Sequence, residues 1–468
     1  MNKFILAVDI GSSKICSVVA EFNSERAGLS RGAGGGGSGI QIIGTGYSES
    51  KGIKKGTITN IDLASRAIRE SIEDAKRITG VPLPNAIVSL SAVHTKSFNA
   101  SGLVNVIDKE VNRDSIDMVL DNAVHSANIP RDHEVVHVLP YRFKLDEQDN
   151  DIEDPIGMTG RSLQVDAHIV TVQKSGLENL KKSIAFAGIG IENIVLSSYA
   201  ASISVLNEDE RQLGVACIDM GAHTCELMIY KGNSMRYNDF LSVGSNHVSN
   251  DIARVLSTPI EIAEVIKKEY GNLIPNEGGS IEIPKIGNSG EKKEVGLHLV
   301  HNIVFARVSE TLTILKRSIE KSGLANSING VVLTGGMVNL KGIREFAAAL
   351  FNPLSVRIAQ PTEVGGLFAT LKDPSSAVAV GLVLYGAGHF TNYEKDSHNA
   401  IRSKYEITNM IESSRDRGYE GNEISGINLE DLKVGGELER DEQEQESKPE
   451  EKVSFFGKLA RYGHKLFG

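Results

Sequence analysis

The sequence predicts an α/β protein built from two duplicated, facing α/β domains, with an inserted α+β module and a disordered tail that ends in an amphipathic helix. Three observations predict it. An apolar run broken by a short turn bearing Asp and Gly occurs near the start and again some two hundred residues later. A third apolar run ends in a glycine pair. Beyond about residue 390 apolar periodicity stops, until a basic and aromatic last stretch.

The first copy runs from Phe4 through Val8, breaks at Asp9-Ile10-Gly11-Ser12-Ser13-Lys14, and resumes from Ile15 to Val19. That pattern is a strand, a tight turn and a strand. Gly11, lacking a Cβ, lets the N–H groups of the turn come up to an anion. Ser12 and Ser13 add hydroxyls and Lys14 a cation, while Asp9 at the strand end suits the holding of Mg²⁺ through water. Many hairpins carry Asp and Gly for turn geometry alone. The recurrence favours the phosphate reading: Val215 to Tyr230 repeats the pattern with Asp219, Gly221, Ala222, His223 and Thr224. The third run, Val331 to Met337, ends in Gly335, Gly336 and Met337, where bare backbone can lie flat against a purine ring.

Between these pieces, Asn23 to Gly39 reads as a flexible glycine-rich loop. A helix is expected from Ile61 to about Thr79, with Leu63, Ala67, Ile68, Ile72 and Ala75 on one face. Val81-Pro82-Leu83-Pro84 marks a boundary. Strands Asn85–Val93 and Ser97–Ile107, a helix Arg113–Ala127 and a strand Glu134–Leu145 then form an α+β module that ends near Asp154–Arg161. Another strand (Leu163–Thr171), a helix (Leu177–Gly188) and a helix at Tyr199–Leu206 follow. Ser234 to Asn302 holds a small strand-and-helix insert, and a long helix covers about Asn302–Lys321. Its Arg307, Glu310, Lys316, Arg317 and Glu320 read as a solvated face, with a partner or nucleotide contact as the alternative.

The formal charge of −10 over 468 residues argues against broad nucleic-acid affinity. Cys16, Cys217 and Cys225 lie in apolar strands without metal spacing and read as reduced core residues of a cytosolic protein. No signal peptide is expected. Ala377 to Gly388 is too short to span a bilayer and reads as a glycine-bearing helix packed between domains. Gly435 to Glu451 carries eight acids against Arg440 and Lys448, a composition expected to be extended and disordered. Val453 to Gly468 then places Phe455, Leu459, Tyr462 and Leu466 on one helical face, with Phe456 and Phe467 beside them and Lys458, Arg461 and Lys465 opposite. This is the pattern of an interfacial helix; docking on the protein's own body is the alternative.

These residues resemble the actin/Hsp70/sugar-kinase superfamily, and within it the FtsA family of bacterial cell-division proteins. Asp9–Lys14 and Asp219–Thr224 match the superfamily's two phosphate loops, Leu333–Met337 its adenosine strand, and Tyr199–Leu206 and Ser376–Gly388 its connecting helices. Gly52-Ile53-Lys54-Lys55-Gly56, Lys96–Asn99, His137–Pro140, Asp154–Gly160 and His168–Thr171 resemble the FtsA family more closely. Two departures stand out: Ala222 and His223 follow Gly221 where the family is richer in glycine, and the loop 28–39 is longer than the family hairpin.

The resemblance implies an actin-like, ribonuclease H-like duplicated fold. Residues 1–80, 163–206 and 376–390 would form subdomain 1A and residues 81–162 the inserted subdomain 1C. Residues 207–233 and 303–375 would form subdomain 2A and 234–302 subdomain 2B, followed by a linker over 391–451 and a membrane-targeting helix over 452–468. It further implies ATP and Mg as cofactors, with Asp9 and Asp219 holding the metal through water, and assembly with other copies through the inserted module. Implied partners are the C-terminal tail of FtsZ, contacted by Arg307 and Glu310, anionic lipid at the inner face of the cell membrane, and other division proteins. Turnover is at most slow, since no general base is identifiable. A pilus-assembly type of scaffold is the nearest rival. A sugar kinase would not need the basic terminal helix, and an Hsp70-like chaperone would carry a β-rich domain where the polar tail stands.

Overall fold

The computed structural model describes residues 2–404 apart from 24–38, 78, 108, 147–150, 276–277 and 286–291. The readings for most of the glycine-rich loop, for the linker beyond residue 404 and for the terminal helix lie outside the described residues.

Strands β1 (Asn2–Ile10) and β2 (Lys14–Asn23) pair antiparallel from Asn2↔Asn23 to Ile10↔Ile15, so the first turn sits at the tip of a regular hairpin. Strand β3 (Ile40–Glu49) pairs with β2, and the short β4 (Ile53–Lys54) and β5 (Thr57–Ile58) lead to α1 (Ile61–Lys76). Asn60 caps α1 by accepting the Leu63 N–H. The buried face of α1 is Ala64, Ala67, Ile68, Ser71, Ile72 and Ala75; Leu63, expected inside, is 41% exposed. α1 packs closely on the sheet, where Ser71 Oγ donates to the Gly46 carbonyl at 3.0 Å and lies 2.8 Å from Ser17 Oγ.

Strand β6 (Asn85–Leu90) pairs parallel with β1. Next come β7 (Thr95–Asn105), α2 (Arg113–Ser126), β8 (His133–Leu145), β9 (Ser162–Gln173), α3 (Lys174–Phe186), β10 (Gly190–Leu196) and α4 (Ser197–Val205). After the short α5 (Glu208–Leu213), the second half opens with β11 (Val215–Met220), β12 (Cys225–Lys231) and β13 (Ser234–Leu241). Two helices, α6 (Ser245–Val255) and α7 (Ile260–Tyr270), and a hairpin, β14 (Ser280–Pro284) with β15 (Lys292–Gly296), form the second insert. The chain continues through α8 (Leu297–Lys321), β16 (Gly330–Thr334), α9 (Ile343–Phe351), β17 (Ser355–Ile358), β18 (Gly365–Gly366), α10 (Ala377–Gly386), β19 (Glu394–Lys395) and β20 (Ile401–Arg402).

The duplication is visible in the sheets. One runs β3-β2-β1-β6-β10, with β18 added at the edge, and the other runs β13-β12-β11-β16-β17. Each is an antiparallel trio followed by two parallel strands, so Asp9 and Asp219 occupy equivalent strand ends. Between the halves lie α4 and α10. Every residue of α10 is buried, as an all-round apolar helix requires. At Gly381 a Cβ would come within 1.8 Å of the Ala200 carbonyl oxygen, so the two helices cross backbone to backbone.

Sheet membership moves four expected boundaries. Asn85–Leu90, assigned to the interval 81–162, belongs to the first half's sheet, whereas Ser162–Gln173 completes the inserted module, whose strand order is β20-β19-β8-β9-β7. Ser234–Leu241, assigned to 234–302, pairs along β12 as the edge of the second half's sheet. Residues 391–404, expected in the disordered linker, instead form a strap that adds β19 and β20 to the module.

Composition misreads the strap because its charges are internally satisfied. Lys395 Nζ, 1% exposed, bonds Asp117 at 2.6 Å and Asp121 at 2.5 Å, and Tyr199 donates to Glu394 at 2.6 Å. Burial pushes the Glu394 carboxyl up to about 7, and the guanidinium of Arg402 pulls against that shift.

The helix crossing yields a paired prediction. Gly381→Ala should lower stability by about 1–3 kcal/mol. Gly176→Ala in α3, where a Cβ meets nothing within 4 Å, should be neutral or raise it by up to about 1 kcal/mol. Urea midpoints measure both, and a neutral Gly381→Ala would contradict the backbone crossing.

Candidate functional site

The two hairpin turns, the glycine pair and the turn before α10 converge on one cleft between the halves. Asp9 sits at the end of β1, 8% exposed, and accepts from Ser89 Oγ of β6 at 3.0 Å; the same hydroxyl accepts the Ile10 N–H at 2.7 Å. Ser12 Oγ accepts the Gly56 N–H at 2.9 Å, and the Ser13 carbonyl accepts the Ser50 N–H at 3.1 Å. The β4–β5 turn is thereby fastened to the first phosphate-type turn. Lys14 Nζ reaches Ser375 Oγ at 2.9 Å, in the turn where Asp373 accepts from Ser375 N and Asn339 Nδ2. Burial raises the Asp373 carboxyl, but these bonds and Lys14 outweigh it and leave the group below its usual range.

The second turn closes with Gly221 N–H donating to the Thr224 carbonyl at 2.9 Å. Its Gly221 and Ala222 carbonyls accept the Ser245 and Asn246 N–H groups at 3.0 and 2.8 Å, so the start of α6 holds it in place. Asn246 Nδ2 lies 3.0 Å from His223 Nε2, which assigns the ring proton to Nδ1. That Nδ1 is buried without a hydrogen-bond partner among the described residues. Burial holds the imidazole below its usual range, reinforced by His247 and Lys55.

The third run ends at Gly335, whose φ is +88° and where a Cβ would stand 2.3 Å from Asp219 Oδ1. Only glycine satisfies both conditions, and it leaves backbone open beside the carboxylate. Gly336–Asn339 is a 3₁₀ turn, and the Met337 side chain, 1% exposed, belongs to the core.

On the cleft floor three acids approach one another. Burial pushes Asp9 up to about 6, against the pull of Ser89 and Lys14. Asp219 is pushed up to about 8 by burial, then by the charges of Glu226 and Asp9. Glu226, 3% exposed on β12, spans the halves by accepting from Ser91 Oγ at 2.8 Å and Ala92 N at 2.9 Å; burial raises its carboxyl too.

A divalent cation fits this donor set, since it would relieve like charges that now hold protons. Among the described residues no three metal-ligating side chains are close enough to grip an ion directly. Such a donor set would suit a hydrated Mg²⁺, which keeps its waters and takes one or two carboxylates plus phosphate oxygens.

Sequence reading missed Ser89, Glu226, Asp373, Ser375 and Asn246 as parts of this cleft. Glu226 had a signal, being a lone acid inside an apolar strand run, but the others come from strands and turns that only the fold brings together. Arg307 and Glu310, proposed as partner contacts, are bonded to each other and, through Arg307 Nε, to Asp251 on α6. Asp251 above all raises the Arg307 guanidinium. A cavity of about 270 Å³ lies elsewhere, lined by Glu134, Leu177, Lys181, Ile191 and His398, and holds none of the turn residues.

The raised carboxyls carry a pH dependence. The folded chain holds protons that the unfolded chain, with Asp at 3.8, has lost, so stability declines as pH rises from 3.8 to about 6 for Asp9 and to about 8 for Asp219. In EDTA at constant ionic strength, urea midpoints should fall between about pH 5 and pH 8. Asp219→Asn should abolish the upper part of that decline and leave the chain more stable than wild type at about pH 8. A decline unchanged in the variant would mean that Asp219 does not titrate there.

A family model described as Cell division protein FtsA matches residues 216–381, and another, the SHS2 domain inserted in FtsA, matches residues 92–171. The latter span follows the inserted sheet, not the interval 81–162. The Cell division protein FtsA of Helicobacter pylori is 40% identical over 469 residues, covering 92% of this chain and 92% of that protein. That of Borreliella burgdorferi is 34% identical, covering 89% and 98%, and that of Pseudomonas aeruginosa 31%, covering 82% and 89%. Among solved structures, a chain of the PilM-PilN type IV pilus biogenesis complex matches with a TM-score of 0.58 at 15% identity, covering 82% of this chain and 98% of that one. A likeness at that identity speaks to the fold, which is actin-like. Relatives this similar over nearly their full length, together with the inserted domain that carries the family's name, settle the assignment: the chain belongs to the FtsA family of cell division proteins.

Proposed function

We propose that this protein is an ATP-binding division adaptor that self-assembles and tethers FtsZ polymers to the cytoplasmic face of the cell membrane. The observation that carries the nucleotide part is the pairing of equivalent turns around Asp9 and Asp219, with the bare Gly335 backbone beside them. Ser12, Ser13, Lys14 and the turn Gly221–Thr224 cradle the phosphates, Gly335 and Gly336 underlie the base, and Asp9 and Asp219 orient the waters of Mg²⁺. The cation neutralises phosphate charge when bound.

Two surfaces support assembly and partner binding. On the inserted module Leu103 and Ile107 are 60% and 69% exposed, with Met118, Ile156 and Met158 also outside. Such apolar exposure suits contact with another copy. On the second insert Val255, Ile260, Val265 and Tyr270 are exposed, a surface suited to the tail peptide of FtsZ beside Arg307 and Glu310.

No described helix is long and apolar enough to cross a membrane. Attachment in this reading falls to Val453–Gly468. Its five or six apolar side chains, at ~1.5 kcal/mol or less each, hold lipid marginally as a single copy. A polymer presenting many copies binds by avidity, so nucleotide-driven assembly governs membrane attachment without new contacts.

Co-sedimentation with anionic vesicles, with and without Mg-ATP and FtsZ tail peptide, tests the whole reading. Deleting Val453–Gly468 should abolish vesicle binding and spare nucleotide binding; retained vesicle binding would reject the tail's role. Asp219→Ala should weaken Mg-ATP binding by about tenfold or more, and an unaltered dissociation constant would take the residue out of the site.

A further inference from the structure

We propose that the strap over residues 391–404 is a proton-controlled latch, closed on α4 and α10 while Glu394 is a carboxylic acid and free to open when Glu394 ionises. The latch is independent of what the cleft binds. Its position follows from strand geometry, since successive residues face opposite sides. Lys395 therefore reaches Asp117 and Asp121 on α2, whereas Glu394 meets Tyr199 of α4 and Tyr385 of α10. Releasing Glu394 frees the edge of the inserted module, where β19 pairs with β8, from the helices packed between the halves.

Glu394 is wholly buried and poorly provided for as an anion. Its Oε2 accepts from the Tyr199 hydroxyl at 2.6 Å and from the Thr391 N–H at 3.3 Å. Oε1 and the Tyr385 hydroxyl act on each other, yet neither completes a hydrogen bond of ordinary geometry among the described residues. A buried carboxylate with one oxygen unserved is costly. The protonated acid can instead turn that oxygen into a donor toward the Tyr385 hydroxyl.

The titratable and charged groups around it are Tyr199 of α4, Tyr385 of α10, Tyr230 of β12, His137 of β8, Arg402 of β20, and Asp396 and Lys404 of the strap itself. Burial lifts the three tyrosines above their ordinary value and holds His137 down at about 3, so these four stay uncharged between pH 5 and pH 8. Arg402 eases Glu394 electrostatically, but its guanidinium lies over the rings of Tyr385 and Phe390, 4.1 and 4.2 Å from their centroids. Burial prevails and leaves Glu394 at about 7, against 4.5 for a solvated glutamate. The closed strap thus holds a proton that the open strap has lost, and closure weakens as pH rises from about 4.5 through about 7.

Hydrogen exchange of the full chain in EDTA at constant ionic strength, corrected for the intrinsic rate, reads the latch between pH 5 and pH 8. Amides of 391–404 should lose about tenfold or more of their protection, most of it below about pH 7. Glu394→Gln, which cannot ionise, should hold them within about threefold over that range. At pH 8 the wild-type strap should exchange sooner than α1 and respond little to sub-denaturing urea, because a local opening exposes little surface. Protection that ignores pH, a Gln variant with the wild-type slope, or strap exchange that tracks α1 in urea would each overturn the proposal. Tyr199→Phe decides the matter if the Gln variant does not fold: removing a donor from the carboxylate should move the transition to higher pH, and an unmoved transition would count against the latch.

Discussion

Two carboxylates of like charge, Asp9, which is buried, and Asp219, which is partly exposed, stand at equivalent strand ends on either side of one cleft, with Glu226 close to the second. Asp9 and Glu226 are buried and Asp219 only partly exposed, so each carboxyl is pushed up and part of their charge is neutralised by protons. Everything around the cleft answers to that constraint. Ser89 and Lys14 ease Asp9, Ser91 and Ala92 ease Glu226, and the missing Cβ of Gly335 makes room beside Asp219.

Much of the fold was legible because the strands near the cleft are buried on both faces and stand out as apolar runs interrupted by Asp–Gly turns. The repeated turn showed the duplication, which the two sheets display in the same strand order. What was not legible depends on long-range pairing. Asn85–Leu90 and Ser162–Gln173 both look like strands, and nothing local says which sheet each joins. Leu63 obeyed the helical period yet lies in the first turn of α1 at the rim of the buried face, where it is 41% exposed. In the candidate site the turns were readable from glycine and aspartate chemistry, while Glu226 and Asn246 act through partners about 134 and 23 positions away.

Besides α4, α10 and the Glu226 bridge, the halves are joined by Ser234 Oγ donating to the Pro140 carbonyl at 2.8 Å, by His168 Nε2 2.9 Å from Asn238 Oδ1 and by Lys14 on Ser375 at 2.9 Å. Where Gly381 meets Ala200 the helices are in backbone contact, so a side chain at this position would force them apart.

The strap from Phe390 to Arg402 has a mechanical consequence. Arg402 stacks on Tyr385 and Phe390, Tyr393 bonds Asp154, Asp396 bonds Asn193, and Lys395 is locked to α2. Tension arriving through the chain beyond residue 404 meets Arg402 first, stacked on Tyr385 of α10, and then Lys395 on α2. The load is therefore divided between the helix packed between the halves and the edge of the inserted module.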